Sequence, residues 1–161
     1  MNIFVTDIDP VQSAINLDDK RVKHMVKENI EMLAIYIHAV LDTWVIEFPL
    51  WGKEVRNDPS FLYNHPCSKW VRKDKANMTW LFKHTIALFD EHEYRFDFTS
   101  EWVTEFIKVR EHLSIHLLDR IPNNFQNSSL YKDLPVIEAY RKTMINKWYV
   151  TDKIKPVLWT R

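Results

Sequence analysis

Glu28 stands among basic residues: Lys20, Arg21, His24 and Lys27 all fall within eight residues of it. With Arg21 set at 0° on a helical wheel, His24 falls at about −60°, Glu28 at about −20° and Glu31 at about −80°. Lys20 and Lys27 flank the same face. A carboxylate ringed by cations stays ionised beside phosphate ligands and can serve as a general base. The plain alternative is a solvated face laced by pairs such as Lys27–Glu31.

A second constellation begins at Asn64-His65-Pro66-Cys67 and continues through Trp70, Asn77, Trp80, His84, Glu91 and Arg95. On one continuous helix Trp70, Asn77, Leu81, His84, Leu88 and Arg95 lie within about 60° of each other. Asn, His and Arg set among Trp and Leu need hydrogen-bond partners or a ligand if they are buried. The basic runs Lys20, Arg21, Lys23, Lys27 and Lys69, Arg72, Lys73, Lys75, with Trp70 and Trp80 interleaved, offer phosphate contacts and a stacking platform. His112 and His116 have the spacing of a shared metal ion, yet Leu113 stands where a zinc protease needs Glu, so no metal site is assigned. No serine sits in a nucleophile elbow, and Cys67 has only His65 near it in sequence.

The elements that must position these residues are helical. Val22, Met25, Val26, Ile30, Leu33, Ile37, Val40, Leu41, Trp44 and Phe48 form one apolar stripe, which predicts a long helix from Asp18 or Asp19 to Pro49. Residues 2–6 read as extended and 10–17 as one or two helical turns. Residues 49–66 are a connector with Pro49, Gly52, Pro59 and Pro66. Helical pattern then covers 67–96 with a break around Asp74. Ser100 is the N-cap expected for a helix over 101–119. Residues 121–134 form a connecting loop, with the irregular polar run at its start, and Pro135 opens a helix over 135–148. The tail 149–161 reads as irregular, with Trp159 pinning it. The expected architecture is an all-α fold, a compact single domain over 1–161 built around the long N-terminal helix.

Composition narrows the function. Lys plus Arg and Asp plus Glu number 22 each, so no overall basic field marks a nucleic-acid partner. The single glycine, Gly52, excludes glycine-rich phosphate cradles and the cofactors they hold, and no cofactor is expected. One cysteine precludes an intrachain disulfide and suits a reducing cytoplasm. Neither a signal peptide nor a membrane span is read from the pattern, so a soluble cytoplasmic protein is expected.

The run Asp19-Lys20-Arg21-Val22 with Glu28 six positions beyond resembles the first helix of the bacteriophage pyrimidine-dimer DNA glycosylases, the endonuclease V-like superfamily. His65-Pro66, Trp70, Asn77, Trp80-Leu81, His84, Leu88 and Arg95 are similar to a wider phage and bacterial group placed with that superfamily, as is the Ala139-Tyr140-Arg141 helix. The resemblance implies a compact helical enzyme that extrudes a nucleotide from double-stranded DNA and acts at the base or its C1′. In that family the nucleophile is the α-amine exposed by loss of Met, and a helix Glu supports sugar opening. A free α-amine, with a pKa of about 8, keeps a useful neutral fraction. This sequence departs there: Asn2 is too large for ordinary Met removal, leaving the Met1 amine or a lysine such as Lys20. The resemblance assigns Glu28, Lys20, His65 and His84 to catalysis, and Arg21, Asn77, Trp70, Trp80 and Arg95 to substrate binding. If the chain is phage-encoded, the host cytoplasm is its compartment. The alternatives are a DNA base-modifying transferase on this scaffold, or a non-catalytic phage protein that sequesters a host factor or a nucleotide.

Overall fold

The computed structural model describes residues 2–43, 45 and 59–151. Among them seven α-helices are found and no strand: α1 (Pro10–Ile15), α2 (Asp19–Leu41), α3 (Pro59–Asn64), α4 (Pro66–Lys73), α5 (Lys75–Phe96), α6 (Val103–Leu113) and α7 (Val136–Asn146). A 3-10 turn, Ser114–His116, follows α6, and a π-type turn, Lys147–Thr151, follows α7. No helix among the described residues is long and apolar enough to cross a membrane.

Helix α2 starts where its sequence says it should. Asp18 is extended and its carboxylate accepts from the Arg21 backbone N–H, which satisfies one of the open donors of the first turn. The predicted stripe is the core: Val22, Met25, Val26, Ile30, Leu33 and Ile37 are buried. Helix α2 lies along α5 and also packs on α4 and α6, while α1 packs on α5. Because neighbours cover it on several sides, Arg21, Lys27, Asn29 and Glu31 are buried as well.

The helix ends earlier than its apolar pattern, at Leu41, because Asp42 turns left-handed at φ 53°. Asp97 does the same at the end of α5, at φ 57°, with its N–H on the Glu93 carbonyl. A left-handed terminus normally takes Gly; in a chain with one glycine, Asp is among the few side chains that tolerate it. Trp44, Phe48, Pro49, Gly52 and Trp159 lie outside the described residues.

The break at Asp74 is present and sharp: Asp74 ends α4 and caps α5, accepting from Ala76 N at 2.8 Å. Other boundaries also differ from expectation. Pro59 opens a helix inside the connector. Helix α6 begins at Val103 and stops at Leu113, with Ser100 acting from outside it: its hydroxyl lies 3.5 Å from Trp102 N and its carbonyl accepts from Val103 N. Helical winding also runs past 148, into the π-type turn.

The extended segment 2–6 crosses the interior and is clamped from α7. Ile3 and Val5 are buried, the Tyr140 ring meets Phe4 edge-on at 5.9 Å, and Arg141 Nε donates to the Thr6 carbonyl at 2.8 Å.

Candidate functional site

The first turns of α2 face the N-terminal segment across an open cleft of about 330 Å3. Lys20, Arg21, His24 and Glu28 line it from the helix, Asn2 and Phe4 from the segment, and Lys147 from the turn after α7. Glu28 Oε2 accepts the Asn2 backbone N–H at 3.0 Å, so the carboxylate is fastened to the segment's first described residue. Arg21 is held on the other side: its Nη1 donates to Asp18 at 3.3 Å, and Asp18 Oδ2 also accepts from Trp148 Nε1 at 2.8 Å. One carboxylate thus caps the helix, aims the guanidinium and anchors the turn that carries Lys147.

Strain collects at this point. Phe4 has φ 50°, a region that costs a bulky side chain roughly 1–2 kcal/mol. The conformation is held by Ser13 Oγ, which donates to the Phe4 carbonyl at 3.3 Å, and by the Tyr140 ring.

Behind the segment stands a wall from α4 and the 126–128 loop. His65 caps α4, its Nδ1 accepting from Cys67 N at 3.2 Å, and burial lowers its pKa, which keeps the half-buried ring neutral near pH 7. Cys67 is buried, 3.5 Å from Ser128 Oγ and hydrogen-bonded to the Ile3 backbone. Burial pushes its thiol up, and the charge of Glu28 pushes the same way, so it stays protonated and unreactive. Tyr140 donates to the Gln126 carbonyl and accepts from Ser128 N, both at 3.0 Å; burial raises its pKa, and it too is neutral.

Of the residues singled out from sequence, Lys20, Arg21 and Glu28 therefore share one cleft, with the half-buried His65 on the adjoining wall. The expectation that His84, Arg95 and the tryptophans would join them in one pocket is not met. His84 is fully buried between α2 and α5, stacked on Trp80 at 4.9 Å, with Asn29 Nδ2 donating to its Nδ1 at 3.0 Å. Burial alone drives its pKa to about 3, so the ring is neutral. Arg95 is spent on the frame: it donates to the Leu17 and Ile15 carbonyls, to Asp19 at 3.2 Å and to Glu91 at 2.7 Å, which ties the end of α5 to the α1–α2 junction. Trp80 Nε1 donates to the Ile8 carbonyl, and Asn77 Nδ2 donates to the Trp70 carbonyl, each at 2.7 Å. Trp70 Nε1 donates to the Asn124 carbonyl.

The break at Asp74 bears on Trp70 alone, since Trp80, His84 and Arg95 share α5 and turn into the core and the α1–α2 junction. A wheel drawn through 67–96 as one helix assigns Trp70 to the face of Asn77 and His84, whereas α4 and α5 are separate helices. Lys27 is also unlike its expectation. It is 8% exposed, with Nζ 4.7 Å from the Trp102 ring, and desolvation lowers its pKa despite Glu31, Glu101 and Glu28 nearby. His112 Nδ1 donates to the Lys108 carbonyl at 2.8 Å, the ordinary contact of a helix side chain. Among the described residues no three His, Cys, Asp or Glu side chains are grouped as a metal site.

Sequence reasoning named Asn2 only as a bar to Met removal, and placed neither it nor Phe4 nor Lys147 in the cleft. No periodic signal marks an extended segment or a post-helical turn as part of a cleft; only the left-handed Phe4 betrays it, and that needs coordinates.

Residues 1–104 match the sequence model of a family described as pyrimidine dimer DNA glycosylase. That stretch contains α1 to α5 and every cleft residue except Lys147. No curated protein and no solved structure matches the chain.

Proposed function

The chain belongs to the pyrimidine dimer DNA glycosylase family, and on that premise we propose that it cleaves the glycosidic bond of a damaged pyrimidine extruded from duplex DNA, with Glu28 as the acid–base group. The observation that carries this reading is the fastening of Glu28 to Asn2 at 3.0 Å within a cleft rimmed by Lys20, Arg21, His24 and Lys147. Cations on the rim suit the phosphates flanking an extruded nucleotide, and a fixed carboxylate suits the sugar between them.

The chemistry balances as amine catalysis. The lone pair of a neutral amine attacks C1′, the bond from C1′ to the base breaks, and the base leaves with that electron pair and takes up a proton. The amine nitrogen then loses a proton, the C1′–O4′ bond opens with a proton delivered to O4′, and a C1′ imine remains. Glu28 is the group that relays these protons. Lys20 and Lys147 on the rim each carry such an amine, and the chain's α-amine is the third candidate.

Glu28→Gln tests the reading. It keeps the acceptor for Asn2 N–H and should cut turnover on dimer-containing duplex by about 10²–10⁴-fold while binding persists. Turnover equal to wild type would remove Glu28 from the mechanism. Borohydride reduction with abasic DNA should trap a covalent adduct, and peptide mapping then assigns it to Lys20, to Lys147 or to the N-terminal peptide. Binding without any adduct would exclude the imine.

A further inference from the structure

The Ala139-Tyr140-Arg141 run of α7 lines no part of the Glu28 cleft. Two of its side chains grip the segment 2–6 instead. The buried Tyr140 ring meets Phe4 edge-on, and its hydroxyl is fixed by the Gln126 carbonyl and the Ser128 N–H. Arg141 reaches the segment's far end: Nε donates to the Thr6 carbonyl at 2.8 Å and Nη2 to Asp7 at 3.2 Å. Thr6 is tied to α1 as well, its N–H donating to Ser13 Oγ and its Oγ1 to the Ser13 carbonyl, both at 3.1 Å. Ser13 Oγ carries the tie on to the Phe4 carbonyl.

Between these anchors and Glu28 stands Phe4, left-handed at φ 50°. A bulky residue keeps that angle only while its surroundings over-determine it, so a loosened flank lets the segment relax about Phe4. Asn2 lies two residues beyond this pivot, about 7 Å away at about 3.4 Å per extended residue. A rotation of about 15° at Phe4 carries Asn2 through about 2 Å on that lever. That is enough to break its 3.0 Å hydrogen bond to Glu28. We propose that Arg141 is a positioning residue for Glu28: by pinning the Thr6 carbonyl it fixes the segment on the far side of Phe4, and so sets where Asn2 holds the carboxylate. Its effect on turnover rests on the reading of Glu28 as the acid–base group, whereas the clamp is observable without catalysis. The rival role for an exposed arginine is a phosphate contact, but this guanidinium is directed at the segment and at Asp7.

Arg141→Met in the full chain tests it, since methionine keeps an apolar stem and removes both donors from a side chain that is 56% exposed. Amide hydrogen exchange followed by NMR should quicken about tenfold at Asn2. The buried Ile30 and Leu33 of α2 should keep wild-type exchange, which separates a loosened segment from a loosened fold. On dimer-containing duplex kcat should fall about 10–100-fold with KM unchanged. The log–log salt slope of duplex binding should stay at its wild-type value. Wild-type exchange at Asn2 overturns the clamp, and a slope flattened by about 0.9 beside it moves Arg141 to a phosphate. Equal quickening at Asn2, Ile30 and Leu33 overturns the proposal as well, because the loss is then one of the fold. Fast exchange at Asn2 with wild-type kcat overturns the positioning of Glu28. Should Glu28→Gln turn over like wild type, the catalytic reading fails by itself, and Asn2 exchange in Arg141→Met still decides the clamp.

Discussion

Acid should destabilise this protein through His84. The ring is fully buried against Trp80 and held by Asn29, and burial drives its pKa to about 3. In the unfolded chain it titrates near 6.5. Between these values the unfolded state binds a proton that the folded state refuses, so stability is full above about pH 6.5 and is lost as pH falls toward 3. For this one group the loss from pH 7 to pH 5 is about 2 kcal/mol, rising to about 4 kcal/mol near pH 3. Against a typical net stability of roughly 5–15 kcal/mol, that is a large share.

The assay is urea or thermal unfolding at pH 7, 6 and 5, for wild type and for His84→Phe. Phenylalanine keeps a ring on Trp80 and cannot titrate. Its cost, chiefly the Asn29 amide left without His84, is independent of pH and cancels from the slope. Wild type should lose about 2 kcal/mol more than the variant between pH 7 and 5, or roughly 4–8 °C in Tm. Parallel pH profiles for the two proteins would refute the argument, and with it the burial of a neutral His84.

Arg95→Met should cost about 3–5 kcal/mol, because it leaves Asp19 and Glu91 buried without their cation and the Leu17 and Ile15 carbonyls without a donor; a melting temperature near wild type would show that the network carries no stability. Asp18→Ala should cost about 1–2 kcal/mol from the lost cap alone and should weaken DNA binding, since Arg21 and the Trp148 turn lose their shared anchor; Asp18→Asn should restore most of the cap.

What could be read from the sequence divides along physical lines. The apolar stripe of α2 and the cap at Asp18 are local, and both are where the spacing puts them. So is the break at Asp74, a residue suited to ending one helix and capping the next. The end of α2 was not legible, because apolar residues continue to Phe48 while the backbone turns at Asp42. Nor was the burial of Lys27, Asn29 and Glu31, which depends on how many neighbours surround a helix, and no single helix encodes that. In the site, Lys20, Arg21 and Glu28 were legible because one helix face holds them together. Asn2, Phe4 and Lys147 join them only through tertiary folding.

A formal net charge of zero argues less against DNA than it first seems, because folding sorts the charges. Several carboxylates are withdrawn from solvent into caps and internal pairs: Asp18 with Arg21, and Asp19 and Glu91 with Arg95. Others stay exposed, yet they gather on the second half of α5 and around α6, as Asp90, Glu93, Asp97, Glu101 and Glu111. Exposed cations stand among these on α5 and α6, as Lys83, Lys108 and Arg110, but Lys20 and Lys23 at the start of α2 and Lys69 and Lys73 along α4 lie apart from them. A Debye length of about 8 Å at physiological salt makes the local sign, not the molecular sum, the quantity that a phosphate feels. The cleft is lined by Lys20, Arg21 and Lys147 against the one carboxylate of Glu28, a local excess of positive charge in a protein that is neutral as a whole.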